Sequence, residues 1–467
     1  MRKHLISSLA LLAGALLWTG ASPDISFAKP KKGKKTQSAS QFFQTRQSLN
    51  RASFDVKGWA KDTTGGRGGR ILRVTNLNSE GEGSLRAAID AEGPRIVVFE
   101  VGGIIDLNSK NLSIKNPHLT IAGQTAPSPG ITIIRGETNL SNTHNVIIQH
   151  LMLRSGEAGH AKKAGPDFDT ISVNGSYNVI VDHCSLSWGT DENLSASGKR
   201  FEGKTLTDWR KNTAHNVTFS NNLIYEGLRH STHQKGEHSK GSLIHDNATG
   251  ILIYGNLYAS NVERNALFKG GVQAAQINNL IYNPGLKAVH YNLIRHEWAE
   301  KAPVTGKVTL IGNVLRYGPD THSSVTLFAL GGSGDAELYL AQNKAVDQQG
   351  KPVAMTSTYS QGQGRIIQTS SPYLPSGISI LPVSKLEDSL PLTAGARPWD
   401  RDPIDFKLLS DVAEGRGEII DSETENGSGY PQYKPSHRPF VESDWNLNDM
   451  SPKSGWDSLF PASMAKN

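Results

Sequence analysis

The chain has 467 residues, a formal net charge of +6 and a pI of 9.1. Arg2 and Lys3 against Asp24 contribute +1, the stretch KPKKGKK at 29–35 contributes +5, and residues 36–467 sum to zero, so no basic face for nucleic acid is expected. A single cysteine, Cys184, excludes an intramolecular disulfide framework, and within VDHCSLSW it reads as a small buried hydrophobe.

Residues 1–28 combine a basic start, the apolar run LISSLALLAGALLWTGA, and Ser26 and Ala28 before a cut ahead of Lys29. This is the pattern of a secretory signal peptide, which predicts export to the periplasm or the medium. No later segment is long and apolar enough to span a bilayer. Residues 29–50, rich in lysine and small polar residues, are expected to form a flexible linker.

GSLRAAIDAEG at 83–93 predicts a short helix with Ser84 as its N-cap, placed to cover the open end of a stack of strands. A repeat then runs along the chain. It reads HLTIAGQTAPSP from His118, NVIIQHLMLRSG from Asn145, NVIVDHCSLSWG from Asn178 and NVTFSNNLIYEG from Asn216. Further copies are GILIYGNLYASN from Gly250, QAAQINNLIYNP from Gln273 and KVTLIGNVLRYG from Lys307. Successive starts lie 27, 33, 38, 34, 23 and 34 residues apart, as a constant coil with insertions would give. Short alternating strands exclude helical repeats, and the leucine pattern is too sparse for leucine-rich repeats.

The predicted fold is therefore all-β, a right-handed single-stranded parallel β-helix over 51–396. Asn222, Asn256, Asn279 and Asn313 recur at equivalent corners and are expected to stack between coils. Residues 397–467 lose the repeat and are read as an irregular segment packed on the solenoid, with a short helix near 403–413. Insertions on a solenoid carry function, and the polar clusters fall in three of them, near 156–168, 190–215 and 229–242.

PDFDTISV places Asp167 and Asp169 two apart, which in a strand would put both on one face. GTDENLS brings Asp191 and Glu192 to a comparable point one coil later. Converging carboxylates repel unless protonated or bound to metal, and hard oxygens on a rigid scaffold suit Ca²⁺. Solvated acids or Asx-turn residues are the alternative. RHSTHQKGEHSKG at 229–241 holds Arg229, His230, His233, Lys235 and His238. Their spacing matches no familiar zinc motif, and a cationic loop gripping an acidic ligand is the more economical reading. NVERNALFKGG at 261–271 puts Arg264 and Lys269 five apart, which strict strand alternation would send to opposite faces.

These segments carry a resemblance. GGRGGRILRVTNLN, GSLRAAIDAEGPRIVVFEVGG, LTIAGQTAP, DTISVNGSYNVIVDHCSLSWGTDE and ERNALFKGG are similar to the pectate lyases of polysaccharide lyase family one, from about Gly65 to about Asn283. The resemblance implies Ca²⁺-assisted β-elimination of polygalacturonate to 4,5-unsaturated oligogalacturonides; a monomer is expected. It implies that Asp167, Asp169 and Asp191 hold calcium, with Glu192 a further acid, and that Arg264 takes the proton. Lys269 stands at the place of a substrate-binding arginine, and Arg229, His233, Lys235 and His238 are expected to bind substrate. Departures are Ser195, where many members carry a calcium aspartate, Ala266 in place of a proline, and Arg229 in place of a lysine. An arginine base must also be drawn down from its high pKa.

Two other readings remain at this stage. A glycoside hydrolase on the same fold would need an acid–base carboxylate pair, but no NTDG or RIK-type signature is present and the two cations would lack a role. A non-catalytic glycan-binding solenoid is permitted by the fold alone.

Overall fold

The computed structural model describes residues 58–360, 362–425 and 429–454. The expected signal peptide (1–28) and linker (29–50) lie outside them. Among the described residues, sheets of 11, 9 and 10 strands run the length of the solenoid, and neighbouring strands within each come from successive coils. Pairing in these three sheets is parallel except at a strand end where Ser436–His437 meets Val101–Asp106, and a separate two-stranded pair, Trp445–Asn446 with Ser451–Pro452, is antiparallel. The architecture is a parallel β-helix.

The repeat found in the sequence supplies two of the three strands of each coil. NVIIQHLMLRSG, for instance, spans His144–Gln149 of the first sheet and Met152–Arg154 of another. The third strand of each coil has no shared motif, and these strands form the 9-stranded sheet, which bears the site. Its register stacks Leu140, Val173, Ala196, Ile244, Phe268, Tyr291 and Leu330 in one inward column, and all seven belong to the buried core. Alternation then turns their strand neighbours outward.

The asparagine corners form a continuous amide ladder. Asn222 Nδ2 donates to Asn256 Oδ1 at 2.9 Å, Asn256 to Asn279 at 3.0 Å, and Asn279 to Asn313 at 3.0 Å. Asn343 extends it at 3.1 Å. Each side-chain oxygen also takes the backbone N–H of the preceding rung, as Asn256 takes Asn222 N at 2.9 Å. Buried amides must be paired or cost their desolvation. Asn256→Ala should therefore destabilise the protein by about 2–4 kcal/mol, through two orphaned donors of Asn222. A denaturant titration with an unchanged midpoint would contradict this. Cys184 is fully buried, and burial pushes its thiol up to about 12, consistent with an inert core residue.

The helix Leu85–Asp90 is capped by Ser84, whose hydroxyl accepts from Ala87 N. At the other end of the chain, helices Val383–Thr393 and Pro403–Glu414 pack outside the coils against Leu223, Tyr225, Leu257 and Leu280. Beneath them lies a buried polar anchor. Arg154, wholly enclosed, reaches Asp402 at 2.6 Å and Asp405 at 3.2 Å, and its guanidinium also meets Tyr225. Tyr433 donates to Asp402 at 3.0 Å. No helix among the described residues is long and apolar enough to cross a membrane.

Candidate active site

Each acidic residue sits where a strand of the 9-stranded sheet begins. Asp169 precedes strand Ile171–Asn174, and Glu192 opens strand Glu192–Ser197, paired to Lys240 of the next coil. Carboxylate oxygens of Asp169, Asp191 and Glu192 all lie within 4.8 Å of one another. Ser195, standing where the family pattern has an acid, donates its hydroxyl to Asp169. Asp169 also accepts Glu192 N at 3.0 Å.

Burial, then the charge of Asp191, pushes Asp169 up to about 8. Burial would raise Asp191 too, but the hydrogen bond from His238 and the charges of His238 and Arg264 outweigh it and hold Asp191 below its ordinary value. Glu137, one coil earlier, is likewise pushed up to about 8 by burial and by Asp169. A set of oxygens that cannot all ionise together fits a hard divalent cation, which removes that repulsion.

Asp167 does not share this cluster. Residues 166–169 are not in a strand, so alternation does not apply there. Phe168 is buried between the two aspartates, and Asp167 turns to the histidine loop, 3.5 Å from His233 Nε2 and accepting Gln234 N at 3.4 Å. His238 Nε2 lies 3.3 Å from Asp191, and His233 stacks on His238 with ring centres 3.4 Å apart. Both imidazoles thus come close to Asp191, as metal ligands would. However, His233 Nδ1 accepts Lys235 N at 3.1 Å, so neutral His233 carries its proton on Nε2, facing the aspartates. That tautomer turns its N–H toward Asp167 and Asp191, 3.5 and 3.7 Å away, and has no lone pair for a metal there.

The rest of the 229–241 loop divides. Arg229 Nε and His230 Nδ1 are both spent on Asp421 of the C-terminal segment, at 2.8 and 3.1 Å. Lys235 is exposed. Only His233 and His238, of the residues expected to bind substrate from this loop, contact the acidic cluster.

Arg264 adopts φ +64°, so the chain turns at that residue and strand alternation ends. Its Nη1 pairs with Glu192, and its Nε lies 3.9 Å from Glu263. Burial draws the guanidinium below its ordinary pKa, while Asp191 and Asp169 resist. Lys269, in strand Leu267–Lys269, is also largely buried but meets a second acidic set: it pairs with Glu297 and lies 3.8 Å from Asp246. Neither cation is a free surface charge, and they do not share one carboxylate cluster.

A family model described as pectate lyase matches residues 34–297. A probable pectate lyase C of Aspergillus flavus is 32% identical over 378 residues, 80% of this chain and 80% of that one. The chain belongs to the pectate lyase family. This lyase also matches a probable pectate lyase C of Aspergillus terreus, 36% identical over 276 residues, 59% of this chain and 56% of that one. The crystal structure of jun a 1, the major allergen from cedar pollen, shares its fold with a TM-score of 0.52 at 16% identity, covering 73% of the lyase and 92% of that chain. Membership makes the protein a polysaccharide lyase.

Around Arg264 the lyase gathers residues that the motifs did not single out. Lys240 and Lys287 grip Glu263 at 2.8 and 2.5 Å. Arg200 joins Lys269 at Glu297 and Asp246. Tyr359 lies near Arg264, and Glu137 lies near Asp169. All are brought in by register between coils, and local sequence holds no sign of it.

Proposed function

We propose that the protein cleaves polygalacturonate by Ca²⁺-assisted β-elimination, with Arg264 as the base, and that it is exported after removal of residues 1–28. The observation that carries this reading is a partly buried arginine, drawn down in pKa, set against the cluster Asp169, Asp191 and Glu192. Those three residues would hold the cation, which would supply positive charge to stabilise the substrate carboxylate. Asp167 acts through His233 as an outer support.

Arg264 Nη takes the proton from C5, next to the carboxylate. The released electron pair forms the C4–C5 double bond, and the C4–O bond breaks, leaving a 4,5-unsaturated sugar. Loss of the proton raises negative charge on the carboxylate, where preorganised cations stabilise it best. Lys269 is positioned to bind a neighbouring uronate carboxylate once Glu297 yields it.

The test is incubation with polygalacturonate, with and without a calcium chelator, following the ultraviolet absorbance of unsaturated products. Chelator-sensitive absorbance is expected. New reducing ends without absorbance would instead mark a hydrolase, and neither signal would mark a binding protein.

Cation binding also has a pH signature. Asp169 and Glu137 titrate near 8 when folded and near 4 when unfolded. Between those values the folded state holds protons that the unfolded state releases, so chelated protein loses stability as pH rises through the window. The stabilisation by added Ca²⁺ should grow over the same window. Thermal unfolding at pH 5 and pH 8, with chelator and with calcium, checks this; an equal calcium gain at both would contradict it.

A further inference from the structure

β-Elimination leaves one requirement unmet by the groups described so far. The departing glycosidic oxygen must acquire a proton, and the acid that supplies it has to lie within a sugar ring's reach of the base, because that oxygen is two bonds from C5 and trans to the C5 hydrogen. Of the donors near Arg264, Lys240 and Lys287 are bound to Glu263, and Lys269 is bound to Glu297. Each would have to break a charge pair to give up a proton. Tyr359 would not.

Tyr359 follows strand Thr356–Thr358 and lies back across the outer face of the 9-stranded sheet. Its ring rests on Gly331, where a Cβ would fall 2.3 Å from Cζ and 2.6 Å from the hydroxyl oxygen. Lys287 Nζ covers the ring at 4.9 Å from its centre. The ring is held in this way, and 37% of the residue remains exposed. Lys287 continues to Glu263, and Glu263 to Arg264 Nε, so a short chain of contacts joins the phenol to the base.

Among the described residues the hydroxyl has one hydrogen-bond partner, His290 Nδ1 at 3.1 Å. His290 is 3% exposed, and its Nε2 has no hydrogen-bond partner among the described residues. Burial pushes this imidazole down to about 3, so it is neutral. A bare buried acceptor is tolerated better than an orphaned N–H, which assigns the proton to Nδ1. Nδ1–H then donates to the Tyr359 oxygen, and the phenolic proton has no acceptor among the described residues.

We propose that Tyr359 is the catalytic acid of the elimination, donating its hydroxyl proton to the glycosidic oxygen as the C4–O bond breaks. The inference rests on the lyase reading with Arg264 as base. The proton count closes: Arg264 gains one from C5, Tyr359 loses one to the leaving oxygen, and solvent returns both groups to their starting states. The phenolate formed in between is met by His290 Nδ1–H and by the positive charge of Arg264.

The experiment compares two substrates for the full chain. One is polygalacturonate. The other is an oligogalacturonide whose non-reducing sugar carries fluorine in place of the 4-hydroxyl, because fluoride leaves without protonation. Tyr359→Phe should lose about 10²- to 10⁴-fold in kcat on polygalacturonate with little change in KM, yet release fluoride within about threefold of wild type. Gly331→Ala, which displaces the ring without removing the hydroxyl, should show the same split. Unchanged turnover of polygalacturonate by Tyr359→Phe, or an equal loss on both substrates, overturns the proposal and leaves the lyase reading standing. If wild type yields unsaturated product from neither substrate, the lyase reading has failed and the acid falls with it.

Discussion

Arg264→Lys should lower kcat on polygalacturonate by about 10²- to 10⁴-fold, the usual range for a positioned general base. Lysine keeps the charge but not the reach. The guanidinium pairs with Glu192 through Nη1 while its Nε faces Glu263, and a single ammonium cannot serve both directions. The substitution should leave the thermal midpoint nearly unchanged, since the Glu192 pair can persist. KM should move little, because substrate binding is shared by the cation site and Lys269. Steady-state kinetics by ultraviolet absorbance separate these effects. Full activity in Arg264→Lys would remove arginine from the role of base and return it to the status of a partner for Glu192.

Arg154→Met should cost about 3–5 kcal/mol, the range for breaking a buried ion pair from one side. Arg154, Asp402 and Asp405 have no exposed side-chain surface. Without the guanidinium, Asp402 would keep Tyr433, and Asp405 would keep Ser185 and Tyr225. Two carboxylates would still be buried together, with Arg401 near them but no cation among the described residues paired to them. Part of this cost is relieved by protonation, so the deficit should shrink as pH falls. Denaturant unfolding of the variant at two pH values reads both effects. A loss under about 1 kcal/mol would mean that the site relaxes open to water.

The asparagine ladder and the capping helix were legible because each depends on local sequence, a repeated offset in one case and Ser84 ahead of Leu85 in the other. The 9-stranded sheet was not. Insertions vary the distance to its strands, and its outward positions carry the site's polar residues in place of a regular alternation. Glu137, Glu263, Glu297 and Tyr359 each come from a different coil, and only the register places them near Asp169, Arg264 or Lys269. The loop at 229–241 shows the same limit in another way. Its basic character suggested a grip on substrate, but Arg229 and His230 are taken by Asp421, about 190 residues further along the chain. Nothing in the loop's own sequence announces that partner. Asp167 and Asp169 parted because the segment that holds them is not a strand, a matter of backbone that their two-residue spacing cannot reveal.

The C-terminal segment also sets an order of events during synthesis. The strands bearing the acidic cluster and Arg264 can stack as each coil emerges, since each pairs with its immediate predecessor. Asp402 reaches Arg154 across 248 residues, and Asp421 reaches Arg229 across 192. Glu423 closes on the backbone of Glu157 across 266. The loops that flank the groove therefore wait for the last part of the chain to arrive, and a nascent chain holds a finished solenoid before it holds a finished groove.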